Sequence, residues 1–188
     1  INTMVTPTHE LPLIRKYREV TDGKIQAIAQ CYPTKEDLTG DIDKAIDNGA
    51  SALYVQGAHA DRFVESGRMD LLAAALQHMK DQGYTAGVGA HSIEVPIACE
   101  REGLDPDFYM KTCHHDKYWS AHPREKRREF CVIHGNTGDH DQYHDNIFDL
   151  FPEKTIGFME TVQKPWIAFK VLAGGVIHPI DGFRYAFR

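Results

Sequence analysis

Several short signatures that would assign a chemistry at once are missing from this sequence. None of its four cysteines (Cys31, Cys99, Cys113, Cys131) forms a CxxC, so neither a dithiol redox centre nor a paired-cysteine zinc site is written into it. No HxH or HExxH occurs, which removes the most specific histidine metal motifs. No GxGxxG follows the first complete strand pattern, which weakens a Rossmann dinucleotide reading. No apolar run approaches the roughly 18 residues of a membrane span, and no signal-peptide pattern opens the chain, although a start at Ile1 is compatible with a lost leader. Positive charge is also in short supply. With 21 Lys and Arg against 27 Asp and Glu, the net charge of -6 speaks against non-specific nucleic-acid or anionic-membrane binding. The scattered cysteines read as reduced thiols of a cytoplasmic protein, with Cys99 packing as a small hydrophobe on a buried helix face.

What the sequence does contain is a recurring joint. In "TDGKIQAIAQ", "DNGASALYVQG", "DQGYTAGVGAH" and "REGLDPDFYMKT", a polar helix end is followed by Gly23, Gly49, Gly83 or Gly103 and then by an apolar strand. Glycine enters the left-handed conformation that closes a helix without a Cβ penalty. The segments ahead of the glycines carry helical spacing: Leu38, Ile42 and Ile46 in one, and Leu72, Ala75, Leu76 and Met79 in another. Strands are expected at about 25–31, 51–57, 84–91, 107–113 and 166–172, and Pro179 suits the first turn of a helix holding Phe183 and Phe187.

Alternating strands and helices predict an α/β protein with a parallel sheet. Two architectures fit: a (β/α)8 TIM barrel, incomplete here with about five full units, and an open doubly wound sheet. The strand ends favour the barrel. Gln56, His91, Lys111 and Lys170 each fall at or near the C-terminal end of a strand, where a barrel places its chemistry. Gly87 and Gly89, in alternation with His91, are expected to leave space inside. The opening "INTMVTP" resembles the tail of an earlier strand, and the chain ends within a helix. The whole of 1–188 reads as one partial barrel domain with a lid-like insertion at about 117–165, long for a connection of this kind. A helix starting at Pro152 is expected inside it, with Ile156, Met159 and Val162 buried.

Two constellations carry chemistry. Lys111 and Lys170 lie near the ends of consecutive predicted strands. Two amines in one apolar cavity disfavour each other's charge, and a free amine is what a Schiff-base nucleophile needs. The plain alternative is a lysine paired with a carboxylate or reaching the rim. The second constellation is drawn from eleven histidines. His59, His91 and His114 or His115 follow three successive strands. With Glu94 or Gln56 they are candidate ligands for zinc, manganese or iron. Otherwise His91 and His115 are proton carriers in a metal-free site. Each histidine also has a bland reading as a hydrogen-bonded residue at a loop root, and Glu94 as a charge at a helix start. Gln30, Gln56, Tyr118 and Trp119 are candidate substrate contacts. His140, His144, Asp145 and Asn146, in the insertion, are weaker ones.

"FYMKT" and the later "FKVLAGGVIHPIDGFRYAF" resemble the paired signatures of deoxyribose-phosphate aldolases and related class I aldolases. More broadly the chain resembles part of a TIM-barrel enzyme. The aldolase resemblance implies Lys111 as the Schiff-base residue, Lys170 as the partner that lowers its pKa, and Gly174 and Gly175 as a turn whose N–H groups approach an anion. It implies no cofactor. The chain departs from the pattern in placing "CHHDKYW" after the first lysine–threonine, where the family has a small-residue turn. The expectation is therefore a lyase acting on a small oxygenated carbonyl compound, with or without a phosphate. The alternatives are a metal-dependent isomerase or hydrolase using His59, His91, Glu94 and His114, and a non-catalytic barrel that binds a ligand. A small molecule is the expected partner, without nucleic acid or membrane, and a homo-oligomer is compatible with the sequence.

Overall fold

A computed structural model of the chain describes residues 2–130 and 149–187. Cys131 and the candidates His140, His144, Asp145 and Asn146 lie outside the described residues. Six strands form one parallel sheet: β1 (Thr3–Pro7), β2 (Gln26–Cys31), β3 (Ala52–Val55), β4 (Ala86–Ala90), β5 (Phe108–Thr112) and β6 (Trp166–Phe169). Their spatial order is their chain order, without a reversal, and the sheet is curled into a half-barrel. The opening residues, expected as a strand remnant, are a full partner of β2, with Val5 beside Ile28.

Among the described residues six α-helices fill the crossovers, α1 (Leu11–Thr21), α2 (Gly40–Asp47), α3 (Gly57–Glu65), α4 (Met69–Asp81), α5 (Glu94–Glu102) and α6 (Pro152–Met159), and a seventh, α7 (Pro179–Ala186), follows β6. Gly49, Gly83 and Gly103 take positive φ at the helix ends, as the joints require. At the first joint Asp22, not Gly23, adopts the left-handed form (φ 52°). The crossover from β3 to β4 holds two helices, α3 and α4, of which only α4 was expected, from its apolar stripe.

The two faces of the sheet are unequal. On one, Ala27, Ala29, Leu53, Val55, Val88, Ala90 and Tyr109 pack against helical residues such as Ile42, Leu72, Met79, Val95 and Cys99. Fully burying each Leu, Ile or Val there stabilises the fold by about 1.5–3 kcal/mol. On the other face a smaller cluster of Tyr54, Phe108 and Met110, joined by Ile28 and Phe169, consists only of strand residues. The space expected beside Gly87 and Gly89 is filled. A Cβ on Gly87 would stand 2.6 Å from Cε2 of Phe108, and one on Gly89 would stand 3.0 Å from Cε2 of Tyr54. Gly87 admits an aromatic ring, whereas Gly89 admits first the backbone of Gly57 and Val55, each 2.8 Å from that Cβ, and then the Tyr54 ring.

The described parts of the insertion are tied down by charge. Arg127 Nη1 donates to Asp116 Oδ2 and to the Leu150 carbonyl, both at 2.8 Å, and its Nε donates to the His122 carbonyl. Burial opposes ionisation of Asp116, but Arg127 and Arg124 beside it hold its carboxyl below the usual value. α6 forms with Pro152 in its first turn and Met159 buried, while Ile156 is half-buried. α7 holds Phe183 but ends one residue before Phe187, and both rings are exposed.

Candidate functional site

The strands run parallel, so their C-terminal ends collect at one edge of the sheet, and three ionisable side chains, Asp61, Lys170 and Lys111, meet there around His91. β4 ends at Ala90, and His91 follows immediately. Its ring reaches α3, where the buried Asp61 accepts a hydrogen bond from Nδ1 at 2.8 Å. The same carboxylate accepts from the backbone N–H of His91 at 3.2 Å and of Ser92 at 3.1 Å. An acceptor-only carboxylate on Nδ1 places the proton there and leaves the lone pair on Nε2. Gly57, the first residue of α3, makes room for this arrangement, because a Cβ there would lie 3.0 Å from Cε1 and 3.1 Å from Nδ1 of His91.

Nε2 of His91 faces Lys170, whose Nζ is 3.1 Å away. Strand alternation would put Lys170 on the face of Ala168, which pairs with Lys111. Instead β6 ends at Phe169 and Lys170 takes a left-handed backbone conformation (φ 54°), followed by Ala173 (φ 46°), Gly174 (φ 71°) and Gly175 (φ 97°). For a residue with a Cβ this conformation is uncommon, and such strain gathers at functional sites. The Lys170 amine also sits 5.6 Å from the Phe169 ring centroid. Burial pushes its pKa down to about 8 from 10.5, with the charge of Asp61 opposing.

Lys111 lies behind His91. It is fully buried, and its Nζ donates to the His91 carbonyl at 2.8 Å, the Thr112 carbonyl at 2.9 Å and Thr112 Oγ1 at 2.7 Å. Thr112 Oγ1 in turn donates to the His91 carbonyl at 3.1 Å. The carboxylate of Asp149 stands 3.6 Å from the amine. Burial lowers the Lys111 pKa from its ordinary value, and the charges of Asp149 and Asp61 counter it.

The other expected residues have separate employment. Gln30 accepts from Tyr54 Oη at 2.6 Å and donates to Tyr32, so both ends of its amide are held. Gln56 caps α3 by accepting from the His59 N–H at 3.1 Å. His59 Nδ1 is 2.7 Å from the Pro33 carbonyl, and Glu94 is paired with Lys154. His114 is buried, its Nδ1 3.0 Å from the His115 carbonyl and its ring edge-on to Tyr118; burial lowers its pKa. His115 packs edge-on against Tyr185 and lines a cleft of about 400 Å³ with Lys117, Pro152 and Ile156. Trp119 is 78% exposed. The Gly175 N–H is bonded to the Leu172 carbonyl at 2.8 Å. Among the described residues no three His, Cys, Asp or Glu side chains stand close enough to hold a metal ion. The set His59, His91, Glu94 and His114 is therefore dispersed.

Asp61 was not among the sequence-derived candidates. Its signal was present: in "GAHADRFVE" an aspartate shares the buried side of α3 with Gly57, Ala60 and Phe63. A carboxylate in an apolar stripe needs a partner, and here the partner is His91. No protein-family model matches the chain, and no curated protein matches it either.

Proposed function

We propose that the chain is a Schiff-base enzyme, a lyase of the class I aldolase type, acting on a small oxygenated carbonyl compound with Lys170 as the nucleophile. One observation carries this reading: an amine whose pKa is lowered by burial stands 3.1 Å from an imidazole nitrogen whose ring is oriented by a buried carboxylate. The aldolase resemblance implies Lys111 for this role; the proposal moves it to Lys170 because Lys111 is fully buried and bonded to three oxygens, whereas the half-buried Lys170 stands beside an imidazole nitrogen. The unreversed, curled parallel sheet, with these residues at the C-terminal strand ends, supports a barrel as the parent architecture.

In this mechanism the neutral Lys170 amine adds to the substrate carbonyl carbon. A C–N bond forms as the carbonyl π pair moves to oxygen. The alkoxide takes a proton from solvent water to become the carbinolamine hydroxyl; His91 Nε2 takes one proton from the nitrogen and delivers it to that hydroxyl, which leaves as water as the nitrogen lone pair forms the iminium. The resulting iminium accepts the electron pair of the neighbouring C–C bond. A β-hydroxyl proton passes to His91 as that bond breaks, so the departing fragment leaves as a second carbonyl compound. Protonation and hydrolysis of the enamine then free Lys170. Asp61 holds the imidazole in the tautomer these transfers need and stabilises its protonated form.

The test is borohydride reduction in the presence of a panel of small aldehydes and ketones, followed by peptide mass analysis. An adduct on Lys170 that disappears in Lys170→Met is the expected result. A panel that labels no lysine, or labels one elsewhere, refutes the proposal.

A further inference from the structure

Lys111 is the buried ionisable group this mechanism leaves unused. We infer that Lys111 is a positioning residue: its amino group fixes the His91 carbonyl from behind and ties it, through Asp149 and Thr155, to α6. The inference rests on the Schiff-base reading only for the reaction that the positioning serves.

Three observations support it. First, Lys111 has no exposed surface, and its three oxygen acceptors, at 2.7–2.9 Å, match the three hydrogens of an ammonium group. An amine so engaged directs no lone pair toward a substrate. Second, the strand register aligns Lys111 with Ala90 and Ala168, and alternation puts it on the face of Tyr109, which belongs to the helix-side core. The His91 ring itself is engaged by Asp61 and Lys170, and Lys111 meets only its carbonyl. Third, the contacts continue beyond the amine. Asp149 is 3% exposed, its Oδ1 is 3.6 Å from Lys111 Nζ, and the same oxygen accepts from the fully buried Thr155 hydroxyl at 2.7 Å. Thr155 belongs to α6. A side chain that transfers protons is held in register by such supporting contacts, and small displacements are costly.

The experiment compares wild type with Lys111→Met, Asp149→Asn and Thr155→Val. It uses two readouts: the ¹H–¹⁵N signals of the His91 imidazole, and the rate of borohydride-trapped adduct formation at Lys170. In Lys111→Met the adduct is expected still to form on Lys170, slower by about 100-fold, with the His91 nitrogen signals displaced. Asp149→Asn and Thr155→Val are expected to move the same signals less. A wild-type adduct on Lys111, or a folded Lys111→Met with unchanged His91 signals, overturns the inference. If Lys111→Met does not fold, the other two variants decide, and unchanged His91 signals in both overturn it. If no carbonyl labels the wild type, the Schiff-base reading fails alone, and the imidazole signals still settle the role of Lys111.

Discussion

A lysine with an ordinary pKa of 10.5 holds only about 0.03% of its amine free at pH 7. Burial brings Lys170 down to about 8, which raises the free fraction to about one in ten, a gain of about 300-fold in competent nucleophile. The rate of imine trapping on Lys170 is therefore expected to climb about tenfold per pH unit from pH 6 and to level off just above pH 8. The assay is the initial rate of adduct formation with one reactive aldehyde between pH 5.5 and 10.5, read by peptide mass. Asp61→Asn provides an internal check. The Asp61 charge raises the Lys170 pKa, so its removal is expected to move the midpoint lower, while loss of the imidazole's partner reduces the limiting rate. A midpoint at 10 or above in the wild type would refute the reasoning, because it would mean that water solvates Lys170 freely. The same depressed pKa has a sign in stability. Between about pH 8 and 10.5 the unfolded chain binds the proton that the folded chain has lost, so this lysine's contribution makes the fold more stable as pH rises through that window. Its full size is at most about 3–4 kcal/mol, and solvent around this half-buried lysine reduces it.

Gly57→Ala would bring a methyl group to 3.0 Å from His91 Cε1. The ring must give way, the Asp61 bond lengthens, and trapping at Lys170 is expected to slow while the melting temperature changes little; an unchanged trapping rate would show that the ring's placement is not critical. Gly87→Ala would put its Cβ 2.6 Å from Phe108 Cε2 and 2.7 Å from Cε1. Overpacking of this kind costs about 1–3 kcal/mol, measurable in urea unfolding, and a loss below about 0.5 kcal/mol would mean that the small strand-only cluster is loosely packed.

The α/β class, the parallel sheet and most of the element order were legible because they rest on local periodicity. Gly49, Gly83 and Gly103 mark helix ends for a reason carried by the residue itself, as do the stripes of α2 and α4. Asp22 in place of Gly23 shows the limit, since the chain chose its left-handed residue one position earlier. His91 and Lys170 were legible as polar residues at strand ends, but their pairing was not. Alternation assigns Lys170 to the wrong face, and only the positive φ after Phe169 turns it toward His91. The metal grouping of His59, His91, Glu94 and His114 drew on similar positions after successive strands, and each of these side chains found a nearer partner.

The sequence by itself determined which segments became strands and helices, that the strands run parallel, and that ionisable groups collect at one edge. Backbone propensity, side-chain period and crossover length are properties of contiguous residues. Tertiary structure alone decided which lysine has a proton acceptor, which is sealed among carbonyls, and that Asp61 orients the imidazole. Those outcomes depend on distances between residues 30 and 79 positions apart and on how much water each amine keeps, and no local pattern encodes either.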